Sequence, residues 1–449
     1  ETGWTALLAA LGMLVPLVLA VAQLGQSYVT FGGMIVLDGF SSFLTILLLG
    51  SGIIGVTLAY DYLRRMGIER GEYYVLLMLS IVGMILMTMA ADLIVVFIAL
   101  ELLSIPLYVL AGFAAPRPDS EEAALKYFLL GAFSSGFVVY GIALVFGATG
   151  TTALAGIVEA IGMAGTDLTL LGIGAALVLI GLGFKVAVAP FHMWTPDVYQ
   201  GAPSAVTAFM AVGAKAGGFA ALLRVFVLAF PSLSADLTPI LWAVAALTMV
   251  LGNFIAIAQT NIKRLLAYSS ISHAGYILMG IVPFGQAEVA PDAVAAALFY
   301  LAAYALTNFT AWAVVISLEG AEGRGLELQD YAGLGARYPL LAASMTVAML
   351  SFTGVPPTLG FVGKFFLFRS VLQGGFVWLA IIGVLTSLVS AFYYLRVVIV
   401  MYMQDGEPVV HREGWLYGTA LVMAAGTVLL AIFSSPLFNW ASEAVLRLL

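Results

Sequence analysis

Gly183-Phe-Lys185-Val-Ala-Val-Ala-Pro190-Phe-His192-Met-Trp-Thr-Pro196 is the stretch on which the reading of this chain turns. It closes an apolar run that begins near residue 168. Proline removes a backbone donor and breaks a helix, so the run 168–200 reads as one interrupted helix with a lysine at the break. The run 339–373 repeats the pattern, with Gly354-Val-Pro356-Pro357-Thr-Leu-Gly360 followed by Lys364. Ordinary proline kinking is the simpler alternative for either site. Backbone freed at membrane depth is tolerated only where protein or a wet cavity satisfies it, and two broken helices in corresponding places point to an internal repeat.

Working outward, apolar runs of about 20 residues, the length that crosses a bilayer, recur along the whole chain. Thirteen are legible: 4–24, 39–60, 73–90, 93–112, 122–147, 168–200, 204–230, 237–259, 263–283, 293–318, 339–373, 376–403 and 414–435. Hydrophobic residues make up 63% of the sequence and charged residues 9%, against roughly 25% charged in a soluble domain. The mean hydropathy is +1.09. The runs are long and rich in Leu, Ala, Val and Gly, unlike the short alternating strands of a membrane barrel. The expected fold is therefore an all-α polytopic membrane protein with about 13 transmembrane helices.

The spacing suggests where the repeats fall. Lys185 and Lys364 occupy the two broken helices, and Glu101 and His273 lie near the middle of an earlier helix in each half. This gives N-terminal peripheral helices over 1–72, a first five-helix repeat over 73–230, a second over 231–403 and a C-terminal helix and tail over 404–449. An odd number of helices per unit makes the second copy inverted.

Thirteen crossings place Arg64, Arg65, Arg70, Arg117, Lys263, Arg264, Arg324, Arg337 and Arg412 in connections on one side. The connections 25–38, 148–167, 231–236 and 284–292 hold no Lys or Arg; only Arg369 and Arg447 lean that way. Cytoplasmic loops collect positive charge, so the basic side is expected in the cytoplasm and the C-terminus outside.

The chain contains no Cys, which excludes thiolate-held iron–sulfur clusters and Cys zinc sites. His192, His273 and His411 lack metal-ligand spacing, so no metal site is expected. Gly172-Ile-Gly174 and Gly181-Leu-Gly183 do not complete a dinucleotide fingerprint, and no phosphate-loop pattern precedes any Lys. No cofactor and no nucleic acid is expected. Energy for any work would come from an ion gradient or a partner subunit.

The ionisable residues inside apolar runs are the candidate site: Glu101, Lys126, Lys185, Lys215 and Lys364. A charge at mid-membrane costs roughly 2.5–3.5 kcal/mol, so such residues pair or line a path. Lysine differs from arginine here because a desolvated ammonium can give up its proton. A Glu–Lys attraction at about 7 Å and an effective dielectric of about 20 is worth roughly 2.4 kcal/mol, enough to load or release a proton when a partner moves. A single structural ion pair could account for Glu101 and one lysine, but not for the other three. Glu122, at i−4 from Lys126, offers an interfacial pair instead. His192 and His273 are possible relays or hydrogen-bonded structural histidines. Lys263 is expected to snorkel, and Arg224 and Arg396 to anchor helix ends. Ser134, Ser135, Ser269, Ser270 and Tyr276 could hold water chains, and the glycines could allow close helix packing.

These residues lie in stretches that resemble one family. They are Glu101-Leu-Leu-Ser-Ile-Pro-Leu-Tyr108, Ala124-Leu-Lys126-Tyr-Phe-Leu-Leu-Gly131, Gly183 through Pro203, Gln259 through Tyr276, and Thr358-Leu-Gly-Phe-Val-Gly-Lys364-Phe. Their sequence and order are similar to the antiporter-like membrane subunits of respiratory complex I, with kinship to multisubunit sodium/proton antiporters. The resemblance implies two inverted five-helix repeats, each with a broken helix, and a charged row across the membrane middle. It implies that Glu101 lies at a subunit boundary, that Lys126 and Lys185 couple to it, that Lys215 connects the halves and that Lys364 lies on the exit side. Lysine at 364 fits one branch of the family better than another that tends to carry Glu there. The lack of a long lateral C-terminal helix argues against a third. The resemblance also implies one more N-terminal helix, 14 in a full-length protein, in line with the abrupt start at Glu1. The expected function is proton translocation as a subunit of an NADH:quinone oxidoreductase in a bacterial inner membrane. Quinone and NADH would be bound by other subunits, the neighbours being other membrane subunits and the lipid bilayer. A subunit of a multisubunit cation/proton antiporter is the alternative.

Overall fold

A computed structural model describes residues 2–163 and 165–444; Glu1 and Arg447 lie outside the described residues. The chain runs through α1 (Thr2–Ala22), a small hairpin of β1 (Tyr28–Thr30) and β2 (Ile35–Leu37), α2 (Gly39–Arg65), α3 (Glu72–Met89), α4 (Leu93–Ala111), α5 (Pro118–Thr149) and the short α6 (Leu154–Ile161). It continues with α7 (Leu168–Val186), α8 (Trp194–Gly201), α9 (Ser204–Ala229), α10 (Ser234–Ile257), α11 (Ile262–Met279) and α12 (Ala290–Leu318). The last elements are α13 (Leu334–Arg337), α14 (Pro339–Thr353), α15 (Leu359–Gln373), α16 (Val377–Met403), α17 (Gly414–Ile432) and α18 (Ser434–Glu443).

Among the described residues, 11 helices are long and apolar enough to cross a bilayer. The remaining crossings expected from the sequence are α11, whose Lys263, Arg264, serines and His273 lower its hydropathy, and the α14–α15 pair, whose halves are each too short alone. The outer helices turn large apolar side chains outward, such as Phe133, Trp378 and Leu388, as lipid contact requires. Helices α9 and α12 are almost wholly buried and form the middle of the bundle.

Both expected breaks are present, and both are made the same way. Helix α7 ends at Val186 with Ala187 in the left-handed conformation (φ 62°), and Pro190 follows three residues later. Helix α14 ends at Thr353 with Gly354 left-handed (φ 88°), and Pro357 follows three residues later. A left-handed residue ends a helix by turning the chain away from its axis. The two lysines, however, fall on opposite sides of their breaks: Lys185 is in the last turn of α7, whereas Lys364 is in α15, beyond the break.

Glycine at the α5–α7 crossing lets the backbones touch. A Cβ added to Gly141 would lie 2.7 Å from the Gly174 carbonyl oxygen. At the end of the bundle where α2, α5 and α12 meet their loops, Arg65 pairs with Glu413, Arg337 with Glu407 at 2.6 Å, and Arg117 donates to the Ala321 carbonyl at 2.8 Å. At the other end, Met34 and Ala91, and Asp92 and Ala153, are joined through their backbones.

Candidate functional site

Three of the predicted lysines lie buried within the bundle. Lys185, Lys215 and Lys364 are 4%, 3% and 3% exposed. An amine there needs partners, because an unpaired buried polar group costs several kcal/mol. Each amine has them. Lys185 Nζ donates to Ser104 Oγ at 2.8 Å and Tyr127 Oη at 3.0 Å. Lys215 Nζ donates to the carbonyls of Ser270 at 2.6 Å and Val186 at 3.4 Å. Lys364 Nζ donates to the carbonyls of Phe352 and Thr353, at 2.8 and 3.0 Å, and to Ser387 Oγ at 2.7 Å.

The breaks explain three of these partners. Val186 is the last residue of α7, and Phe352 and Thr353 end α14. Their carbonyls have lost the helical donors that continuation would have supplied, and the negative end of each helix dipole lies there. Lysines from neighbouring segments take the vacant acceptors. Because Lys215 binds the carbonyl of the residue after Lys185, the first two amines belong to one cluster.

Between Lys215 and Lys364 the polar contacts continue. Ser270 Oγ accepts from Tyr304 Oη at 2.9 Å and lies 3.4 Å from Tyr199 Oη. One turn further along α11, His273 contacts Tyr300 through Nδ1 at 2.7 Å and Tyr394 through Nε2 at 3.0 Å. Tyr276, the next turn, lies under Lys364, whose amine is 4.5 Å from the ring centroid. At the other end Glu101 is one helical turn from Ser104 on α4, and its carboxylate accepts from Ser135 Oγ. Glu101, Lys185, Lys215, His273 and Lys364 therefore form one polar thread across an apolar bundle.

Three residues sit apart from the thread or differ from expectation. Lys126 takes the interfacial alternative: its side chain is 40% exposed and pairs with Glu122, as the i−4 spacing allowed, and with Asp197, both at 2.7 Å. One turn inside an outer helix, it finds acidic partners at the rim. Its neighbour Tyr127 reaches Lys185 instead. His192 sits half-buried in the α7–α8 break beside exposed Met193, with Nδ1 buried and without a partner. Lys263 does not snorkel. The loop before α13 covers it, through Ile262 to Leu326 and Leu328 to Thr260 backbone bonds, and its amine donates to the buried Ala202 carbonyl at 2.6 Å.

Sequence reasoning also missed Arg224. It is not an end anchor but a fully buried guanidinium, 2.8 Å from Asp38 and 2.8 Å from the Thr88 carbonyl. A signal was present: Arg224 lies well inside its apolar run. Asp38 gave none: it lies in a connection just before an apolar run, where it caps α2. The tyrosines that join the lysines gave none either, since their partners are distant in sequence.

A model of the NADH:quinone oxidoreductase/Mrp antiporter transmembrane family matches residues 90–390, the part that holds every member of the thread. The chain belongs to this family. Over nearly its whole length it is similar to N subunits of NADH-quinone oxidoreductase. It is 48% identical to that of Chloroflexus aggregans, covering 97% of this chain and 89% of the relative. It is 46% identical to that of Trichlorobacter lovleyi, covering 99% and 91%. A chain of respiratory complex I from Thermus thermophilus superposes with a TM-score of 0.85 at 35% identity, covering 98% of this chain and 95% of that one. A chain of the Mrp complex from Dietzia shares the fold, with a TM-score of 0.87 at 22% identity.

Proposed function

We infer that this chain is a proton-translocating membrane subunit of a respiratory NADH:quinone oxidoreductase, of the N type. The supporting observation is the thread of three desolvated amines and one carboxylate, in a family fold whose near-full-length relatives are N subunits of that enzyme. With no Cys, the chain offers no thiolate for an iron–sulfur centre; in such a complex the binding of NADH and quinone falls to partner subunits. Other membrane subunits of the complex are its neighbours.

Redox energy reaches the chain as a change in charge or hydration near Glu101. Glu101 and the Lys185 amine are joined through one turn of α4, by way of Ser104. A change at the carboxylate alters the electrostatic stabilisation of the Lys185 ammonium. Lys215, bonded to the carbonyl next along the chain, takes up or passes the proton. His273 and the surrounding tyrosine hydroxyls carry it toward Lys364, which releases it. Moving one charge against a membrane potential costs about 2.3 kcal/mol per 100 mV, comparable with the Glu–Lys attraction worked out above.

The matching breaks support two five-helix units, 73–230 and 231–403, related by inversion. The arginine-rich end of the bundle supports placing that end in the cytoplasm of a bacterial cell and the C-terminus outside.

The test is NADH-driven acidification of proteoliposomes holding the assembled complex. Lys215→Ala and Glu101→Ala are each expected to abolish acidification with assembly intact. Full pumping by both assembled variants overturns the reading.

A further inference from the structure

The mechanism leaves unused a second group of buried ionisable residues, at the arginine-rich end of the bundle. Glu319 follows the last residue of α12, is 4% exposed, and has Oε2 buried without a hydrogen-bond partner. Lys263 is 2% exposed and is held by one carbonyl. Among the described residues the two make no ion pair, yet Glu319 acts electrostatically on Lys263, on Tyr62 of α2 and on Tyr331. Arg117 acts on Tyr62 and Lys263 in the opposite sense. Opposite charges that feel each other without touching are the arrangement that bridging water joins.

Other buried polar atoms of the bundle are orphaned too. Tyr331 Oη, Ser204 Oγ, Thr195 Oγ1 and Asn308 Nδ2 are buried with no partner. Buried polar atoms without a protein partner are normally satisfied by ordered water. Ser204 is tied to the group, since its backbone N–H donates to Tyr62 Oη at 3.0 Å. The helix periodicities run the same way. Lys263 and Ser270 are seven residues apart on α11, two turns on one face and about 10 Å of rise. Ser204 and Lys215 are eleven apart on α9, three turns on one face. Tyr199 Oη spans the remaining gap to Ser270, whose carbonyl holds the Lys215 amine.

We propose that Glu319, opposite Lys263, is the proton-loading carboxylate for Lys215, connected to it by water through Ser204, Tyr199 and Ser270. A proton from water at the arginine-rich face binds the Glu319 carboxylate. It leaves that oxygen along the water chain and binds the Lys215 amine, and Glu319 returns to the carboxylate. Lys263, held by the Ala202 carbonyl, is the positioning residue.

This rests on the pumping role of Lys215, so the test uses the same proteoliposomes. Glu319→Gln is expected to slow NADH-driven acidification at least fivefold, with the deficit growing as the outside medium is made more alkaline. Glu319→Asp is expected to restore most of the rate. Tyr199→Phe removes the hydroxyl link without touching the charges and is expected to slow acidification by a similar factor, so it decides the matter where Glu319→Gln does not assemble. Wild-type acidification across the pH range by assembled Glu319→Gln, or by Tyr199→Phe in its place, overturns the loading role. If Lys215→Ala still abolishes pumping in that case, the pump reading stands and only the route falls.

Discussion

The two broken helices use one backbone device to serve two different amines. At the first break, Lys185 is in the segment that ends, and its amine turns sideways to hydroxyls on α4 and α5, Ser104 and Tyr127. At the second, Lys364 comes from the segment that restarts. Its amine reaches back to cap the carbonyls of Phe352 and Thr353. The vacant carbonyl of the first break, on Val186, is served by Lys215 from α9. The first amine is thus held by side chains that can reorient and has a carboxylate one turn away. The second is held mostly by fixed main chain. On the proposed pump reading, the difference suits a first site that responds to a signal at Glu101 and a second that receives and releases.

The largest effect is expected from removing the adjustable partners of the first site. Ser104→Ala with Tyr127→Phe deprives Lys185 of both hydrogen bonds, each worth about 1.5–3 kcal/mol to a charged amine. Acidification is expected to stop and the melting temperature of the complex to fall; an unchanged rate would erase the contrast between the sites.

Next comes Gly354→Ala. The left-handed backbone costs a non-glycine residue about 1–2 kcal/mol, and the new Cβ would lie 2.9 Å from Lys364 Cδ. The variant is expected to lower thermal stability by that amount and to slow proton release through displacement of Lys364. Equal stability and rate would show that the second site is as adjustable as the first.

Ser387→Ala is expected to be milder. Two carbonyls still hold Lys364, so pumping is expected to be slowed rather than stopped. A complete loss of acidification would make Ser387, rather than the main chain, the decisive partner. The smallest effect is expected from Ala187→Gly. Relief of the left-handed strain is offset by the greater freedom of glycine in the unfolded chain, about 0.5–1 kcal/mol. Melting temperature and pumping should both stay close to wild type, and a marked fall would mean that the Ala187 methyl has a packing role.

Much of this was legible in the sequence, for reasons of cost. A membrane span must be long and apolar, so the helices announced themselves. A lysine inside one is expensive enough to be noticed, as Lys185, Lys215 and Lys364 were. Position along an apolar run was a poorer guide to depth. Lys126 lies inside its run yet finds acids at the rim. Lys263 lies at the edge of its run yet is covered by a loop, and Arg224 was read as an anchor although it is buried against Asp38.

By itself, then, the sequence determined the membrane class, the count of crossings, the two breaks and the amines that could not face lipid, because each follows from local transfer cost or from proline's missing donor. Which amine meets which carbonyl or hydroxyl, and the gathering of Glu319, Lys263 and Tyr62 at one end, were decided only by tertiary structure. Those partners are brought together by helix packing across as many as 257 positions, between Tyr62 and Glu319, and hydropathy along one helix carries no information about the face presented by another.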